Sequence, residues 1–266
     1  MRRRGLAAFA IWSLLSGVAA NAAVELKRET AVAFDRYVAG VEAHAEARLH
    51  SANFIRSAET AEHRRDLLKG DVVIEPGQGN GELAIKSALI HDWVGALFIP
   101  HATLAKTVGI VQDYAHNKDY YGPEIADAKV RSRNGNDFNV YMRIVKSKFF
   151  LTDVLNTEHD IHFEPIDATH MYCRSHTTRI AEVSDPGKPD EHELPVGNDR
   201  GLLWRMYGYW FFEEKDGGVY VEYESVSLTR DIPFGMGKIL GPILHGVPAE
   251  SLRASLEKTR RAVNLK

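Results

Sequence analysis

Apolar and polar positions change their period twice along the chain. Between Thr30 and Ala58 the apolar residues Phe34, Val38, Val41, Ala45, Leu49, Ala52 and Ile55 fall three or four apart, with charges between them. That is the spacing of a helix with one buried stripe. A second, shorter helix is expected over Thr60–Leu68. Asp71–Glu75 could be a short strand, and Leu83–Ile99 reads as extended until Pro100 stops it. Thr103–Tyr114 returns to helical spacing, with Leu104, Val108, Val111 and Tyr114 on one face and Thr103 as the N-cap. Asn117–Gly122 predicts one more short helix.

From there the period shortens to two. Strands are expected at Asp127–Ser132, Asp137–Lys146, Phe149–Leu155, Thr157–Phe163 and Met171–Val183, with an Asn-Gly turn signal inside 133–136. Ser184–Arg200 is a long polar loop rich in Pro and Gly. Gly201–Arg230 then predicts a hairpin of two unusually long strands about the turn Lys215–Gly218. Alternation puts Trp204, Met206, Gly208, Trp210 and Phe212 on one face, opposite Val219, Val221, Tyr223, Ser225, Ser227 and Thr229. The other face carries Arg205, Tyr207, Tyr209 and Phe211 against Glu222 and Glu224, and reads as a wetter surface. Phe138, Val140, Met142 and Ile144 form a similar inward set on an earlier strand. Ser251–Leu265 closes the chain as a helix with a stripe at Leu252, Leu256, Thr259 and Val263.

The first residues change the compartment. Met1–Arg4 is basic, Leu6–Ala20 is an apolar run, and Ala20-Asn21-Ala22 is a small-x-small site. This has the form of a secretory signal peptide cleaved before Ala23. Cleavage would remove Arg2, Arg3 and Arg4 and no acid, taking the formal charge from −3 to −6. A mildly acidic exported chain is a poor partner for nucleic acid. No second apolar run is long enough to span a membrane, and the lone Cys173 allows no internal disulfide.

Candidate chemistry is sparse. His159 and His162 are three apart on a strand and point to opposite faces, so they make a poor metal pair. His91 and Asp92 are adjacent and also face apart. No Gly-x-Ser-x-Gly elbow is present. The alternating glycines of 76–81 precede a strand pattern rather than a helix, which leaves a phosphate no helix N-terminus. No catalytic residue, metal ligand or cofactor is therefore assigned. Arg143, Arg174, Arg179 and Glu224 fall on predicted strands, and each reads as exposed.

The order of elements resembles the START-like, helix-grip superfamily that includes the birch-pollen allergens and polyketide cyclases. The segments that carry the resemblance are 210–224, Leu228–Pro233 and 247–260. It covers about Leu83–Leu265. It implies an α+β fold in which a curved antiparallel sheet of about seven strands wraps a long C-terminal helix. The expected organisation is a signal peptide at 1–22, a helical extension and turn at 23–81, and the helix-grip domain at 82–266. An internal cavity for a hydrophobic small molecule is also implied, of lipid, sterol-like or polyketide-like character. Its expected lining is Met142, Ile144, Trp204, Met206, Trp210, Val221, Tyr223, Ser225, Leu252 and Leu256. Two alternatives stay open. One is a cyclase- or hydrolase-type enzyme on the same fold. The other is a structural protein that meets a partner through the Thr30–Ala58 helix. No protein partner is identified.

Overall fold

The computed structural model describes residues 24–148, 151–231 and 246–266. Its first long helix, α1 (Arg28–Arg48), buries the expected stripe of Phe34, Val38, Val41 and Ala45. It ends ten residues short of the predicted Ala58. Ser51 and Asn53 bend the chain there: Ser51 Oγ donates to the Arg48 carbonyl at 3.1 Å and accepts from Asn53 N at 3.2 Å. Such local bonds compete with the helical ladder. The turn lets Leu49, Phe54 and Ile55 reach the same core as the helix. A short 3-10 turn at Arg56–Ala58 follows.

Helix α2 (Ala61–Lys69) begins at Thr60, whose hydroxyl accepts from His63 N, and ends at Gly70 in the left-handed conformation. The predicted extended run Leu83–Ile99 is two strands. β3 (Glu82–Ile85) and β4 (Ala88–Pro100) turn about Lys86 and Ser87 and pair with each other. β2 (Val73–Pro76) pairs with the other half of β4. Helices α3 (Leu104–Val111, capped by Thr103) and α4 (Asn117–Tyr121) match the sequence pattern closely.

The remaining strands are β5 (Ile125–Asn134), β6 (Asp137–Lys148), β7 (Leu151–Pro165), β8 (His170–Ser184), β9 (His192–Glu193), β11 (Arg205–Lys215) and β12 (Gly218–Arg230). The strands expected at Phe149–Leu155 and Thr157–Phe163 are one, because Asn156 stays in register between Arg143 and Ala181. The hairpin turn is tighter than predicted. Asp216 and Gly217, both at positive φ, make a two-residue turn, and Lys215 pairs with Gly218.

The main sheet has ten strands rather than about seven, in the order β2-β4-β12-β11-β8-β7-β6-β5, with β3 on β4 and β9 on β8. Every pairing is antiparallel. The Ser184–Arg200 loop is not free of structure. It carries β9 and also β10 (Asn198–Asp199), which pairs with the short β1 (Val24–Glu25). Helix α5 (Val247–Leu265) lies against one face of the sheet, burying Leu252, Leu256, Thr259, Ala262 and Val263. The elements of α1 cover the other face.

The sheet must curl around α5. Leu256 packs on Gly95 of β4, and Ser251 accepts from Lys146 of β6 at 3.2 Å. Between β4 and β6 stand β12, β11, β8 and β7, so a flat sheet would hold them about 24 Å apart. One helix is only about 10–12 Å across.

Candidate functional site

The inner face of the sheet, toward α5, is built by strict alternation. Register places Phe163, Cys173, Trp210, Tyr223 and Gly95 in one row across β7, β8, β11, β12 and β4. At this row the helix comes close. A β-carbon on Gly95 would sit 2.7 Å from both Leu256 Cδ1 and Ile74 Cδ1, so only glycine leaves room for the crossing. Leu97, Ile99, Phe212, Val219 and Val221 pack there with Leu252 and Leu256 into one apolar cluster, joined by Phe138, Val140, Ile161 and helix α3.

Three rings run along the inner face. Phe212, Trp210 and Tyr223 are near parallel, with centroids 5.9 Å and 4.1 Å apart. The Tyr223 ring lies over Gly208, where a β-carbon would meet it at 2.7 Å. Burial raises the Tyr223 phenol to about 12, so it remains a neutral donor. A second, smaller apolar cluster sits further along the trough, made by Ile144, Leu155 and Ile180 with Leu203 and Met206. Met142 packs against both. Between the two lie hydroxyl side chains and His159, which burial lowers to about 4.

The expected lining residues distribute as follows. Met142, Ile144, Met206, Trp210, Val221, Tyr223 and Ser225 share the inner face, and Leu252 and Leu256 face them from α5. Trp204 does not join them. It belongs to the cluster under α1, and its indole Nε1 donates to Asp199 at 3.0 Å. Alternation fails here because β11 starts only at Arg205, after a bend at Gly201 with φ 74°. Trp93 and Phe163, missed by the sequence reading, are on the inner face. Lys146 was also missed. It continues the Phe138–Ile144 alternation, and burial lowers its ammonium pKa. The apolar, Gly-rich Phe234–Val247 segment lies almost wholly outside the described residues.

The outer face corrects another expectation. It is not wet. Tyr209 and Phe211 are fully buried beneath α1, and Glu222 and Glu224 are buried beside them. Glu222 pairs with Arg48 at 2.8 Å and accepts from Ser57 N at 2.7 Å. Asp92 accepts from Tyr37 Oη at 2.6 Å and stands near Glu224 on the neighbouring strand. Burial, then the charge of Asp92, raises Glu224 to about 8. Arg56 stands near this group and donates to the carbonyls of Pro76 and Gly77. Arg143 and Arg179 lie outside the trough, bonded to Glu191 and Glu193 respectively, and Arg174 is exposed.

The inner face also holds a Thr229–His91–Glu82 array. His91 Nε2 is 2.9 Å from Thr229 Oγ1, and Nδ1 is 3.6 Å from Glu82 Oε1. His162, by contrast, points outward to Asp137. Among the described residues no group of three His, Cys, Asp or Glu is placed to hold a metal ion. None of the described helices is long and apolar enough to cross a membrane.

A curled antiparallel sheet gripping one C-terminal helix is the decisive feature. It is the helix-grip arrangement expected from the order of elements. Among solved structures, the chain is similar to a STAR-related lipid transfer protein from Xanthomonas axonopodis, at 14% identity and TM-score 0.47 over 69% of this chain and 99% of that one. It is also similar to the Zhui aromatase/cyclase from Streptomyces sp. R1128, at 9% identity and TM-score 0.45 over 66% and 96%. Human STARD10 aligns at 10% identity and TM-score 0.43 over 77% and 80%. No protein-family model matches the sequence, and neither does any curated protein. A strap of α1 and α2 is laid over the outer face of the sheet.

Proposed function

We propose that this protein binds and carries a hydrophobic small molecule in the trough between the sheet and α5, and does so after export. The observation that supports this is the unequal closure of the two sheet faces. Along β12 the outward residues Glu222, Glu224, Val226 and Leu228 are all buried, while Tyr223, Ser225, Ser227 and Thr229 on the inner face are only half-buried. Trp93, Met142, Met206 and Trp210 are half-buried on the same side. An aromatic and aliphatic wall left partly open inside a curled sheet is what an apolar ligand needs. Burial of such a ligand is worth about 25 cal/mol per Å² before ordering costs. Export is read from the basic start, apolar run and small-x-small site of residues 1–22.

Native mass spectrometry and solvent extraction of protein purified from its own host test the carrier reading. A recovered apolar molecule in stoichiometric amount is expected. Repeated recovery of empty protein that also takes up no hydrophobic dye would refute it. Sequencing the mature N-terminus tests export, with Ala23 expected as the first residue.

A second reading is favoured by one observation. Thr229, His91 and Glu82 stand in the order nucleophile, base and orienting acid, although 3.6 Å exceeds hydrogen-bond reach for the last pair. A hydrolase on this fold would cleave apolar p-nitrophenyl esters and lose that activity in both His91→Ala and Thr229→Ala. No hydrolysis above a heat-treated control removes this reading.

A further inference from the structure

We infer that the ligand carries an uncharged hydroxyl, held at mid-trough by a belt of polar side chains contributed by β7 and β8 on one side of β11 and by β12 and β4 on the other. The inference rests on the carrier reading above and adds the chemical class of the ligand.

The belt is a matter of register. Ser175, Gly208 and Ser225 lie side by side on β8, β11 and β12. In the next inward-facing row, His159 is opposite Thr177, and Ser227 is opposite His91. On one side of these rows stand Phe163, Cys173, Trp210 and Tyr223, and on the other Leu155 and Ile180, while Met206 stands within the second row between Thr177 and Ser227. The inner wall is therefore apolar, polar, apolar along its length. A ligand hydroxyl can add a hydrogen bond to this stretch that a wholly hydrocarbon ligand cannot.

Donor accounting fixes what the belt offers. Thr157 Oγ1 gives its only proton to the Met142 carbonyl at 3.0 Å. At its 2.9 Å contact with His159 Nε2 it can therefore only accept, so Nε2 carries the imidazole proton. Nδ1 is left as an acceptor, and Ser175 Oγ stands 3.5 Å from it as the donor. With its proton turned toward His159, Ser175 presents lone pairs to the trough. Thr177 likewise accepts, from Met206 N at 3.0 Å. Tyr223 brings its hydroxyl to the same place, 2.9 Å from where a Gly208 β-carbon would be, and bonds Ser225. Gly208 leaves the space that admits this ring.

The charges near the trough are already engaged. Lys146 donates to Ser251 and faces Glu124. Glu182 binds Arg200 and the Leu202 amide. Glu82 flanks His91 at the β4 end of the belt, where an anionic ligand would meet a like charge. A carboxylate or phosphate beside Ser175 and Ser225 would face hydroxyls and the neutral His159 imidazole.

Three fluorescent probes of one skeleton test this at pH 7: 1-hydroxypyrene, 1-methoxypyrene and 1-pyrenecarboxylate, titrated into the full mature chain. The expected order is hydroxyl tightest, by about fivefold over methoxy, the worth of one net hydrogen bond, with carboxylate weakest. Ser175→Ala should bring hydroxyl and methoxy within about twofold while leaving methoxy affinity unchanged. Ser225→Ala is the second variant, expected to weaken the hydroxyl probe alone by freeing the Tyr223 phenol from its place. Carboxylate binding as tightly as hydroxyl, or a hydroxyl preference untouched in both variants, overturns the belt while leaving the carrier reading intact. If none of the three probes binds the wild-type protein, the carrier reading falls, and the inference with it.

Discussion

Asp92 of β4 and Glu224 of β12 lie on the same buried face of neighbouring strands, two acids closed off from water by α1. Two carboxyl groups so placed do not both ionise cheaply. Glu224 is the one raised to about 8, first by burial and then by the charge of Asp92. Folding thus takes up a proton at neutral pH. The stability this group contributes is complete below its ordinary carboxylate pKa and is lost as pH rises toward 8. His159, lowered to about 4, acts in the opposite direction but only below its ordinary value of 6.5. Between pH 6.5 and 8 the carboxyl effect is therefore unopposed by His159. Thermal midpoints should fall across that window, and Glu224→Gln, which keeps a neutral amide in place, should flatten the fall. A wild-type midpoint that is level from pH 6.5 to 8 would show that Glu224 is not held protonated.

Arg48 is the counter-charge for Glu222, and its guanidinium also lies 3.9 Å over the Phe211 ring. Removing it strands a fully buried carboxylate. Arg48→Met should cost about 3–5 kcal/mol in urea unfolding. The double variant Arg48→Met with Glu222→Leu should recover most of that loss, because both charges are then gone. Equal losses in the single and double variants would mean that packing, not the ion pair, carries the cost.

Gly95 sets the approach of α5 to the sheet. Gly95→Val should push Leu256 and Ile74 outward and cost about 1–3 kcal/mol. It should also change the trough beside Trp210, read as altered dye uptake in protein that still folds. Gly40→Ala, where no atom stands within 4 Å, is the control. That change should stabilise α1 by up to about 1 kcal/mol.

Trp210 is the middle ring of the Phe212–Trp210–Tyr223 stack. Trp210→Ala should destabilise the fold by about 3 kcal/mol and weaken pyrene-type probes about tenfold, since the wall they contact is lost. A variant that is less stable but binds as tightly as wild type would place the ligand elsewhere.

The inner face was legible because strand alternation is local. Phe138, Val140, Met142 and Ile144 announce one side of β6, and Trp210, Val221 and Tyr223 do the same for the hairpin. The outer face was not legible. Glu222, Glu224 and Arg205 looked like solvent-facing charges, because the residues that bury and pair with the two acids are far away in the chain, at Tyr37, Arg48, Arg56 and Ser57. Trp204 was misassigned for the opposite reason. A single left-handed glycine at 201 broke the alternation that the side chains alone suggested. The belt left little trace in sequence, since Ser175, Thr177 and Ser227 gain their meaning only from register.

The strap gives the chain an obligatory order of parts. Tyr209, Phe211, Tyr220, Val226 and Leu228 form an outer wall as apolar as the inner one, and α1 with the segment to Ala58 is what keeps it dry. A fragment beginning near Asp71 would retain the whole grip, yet its back would be a sticky slab bearing an orphaned Glu222. Such a truncation should aggregate rather than report on ligand uptake. In this protein the added N-terminal region is the second half of the core, and any attempt to isolate the grip must carry it along.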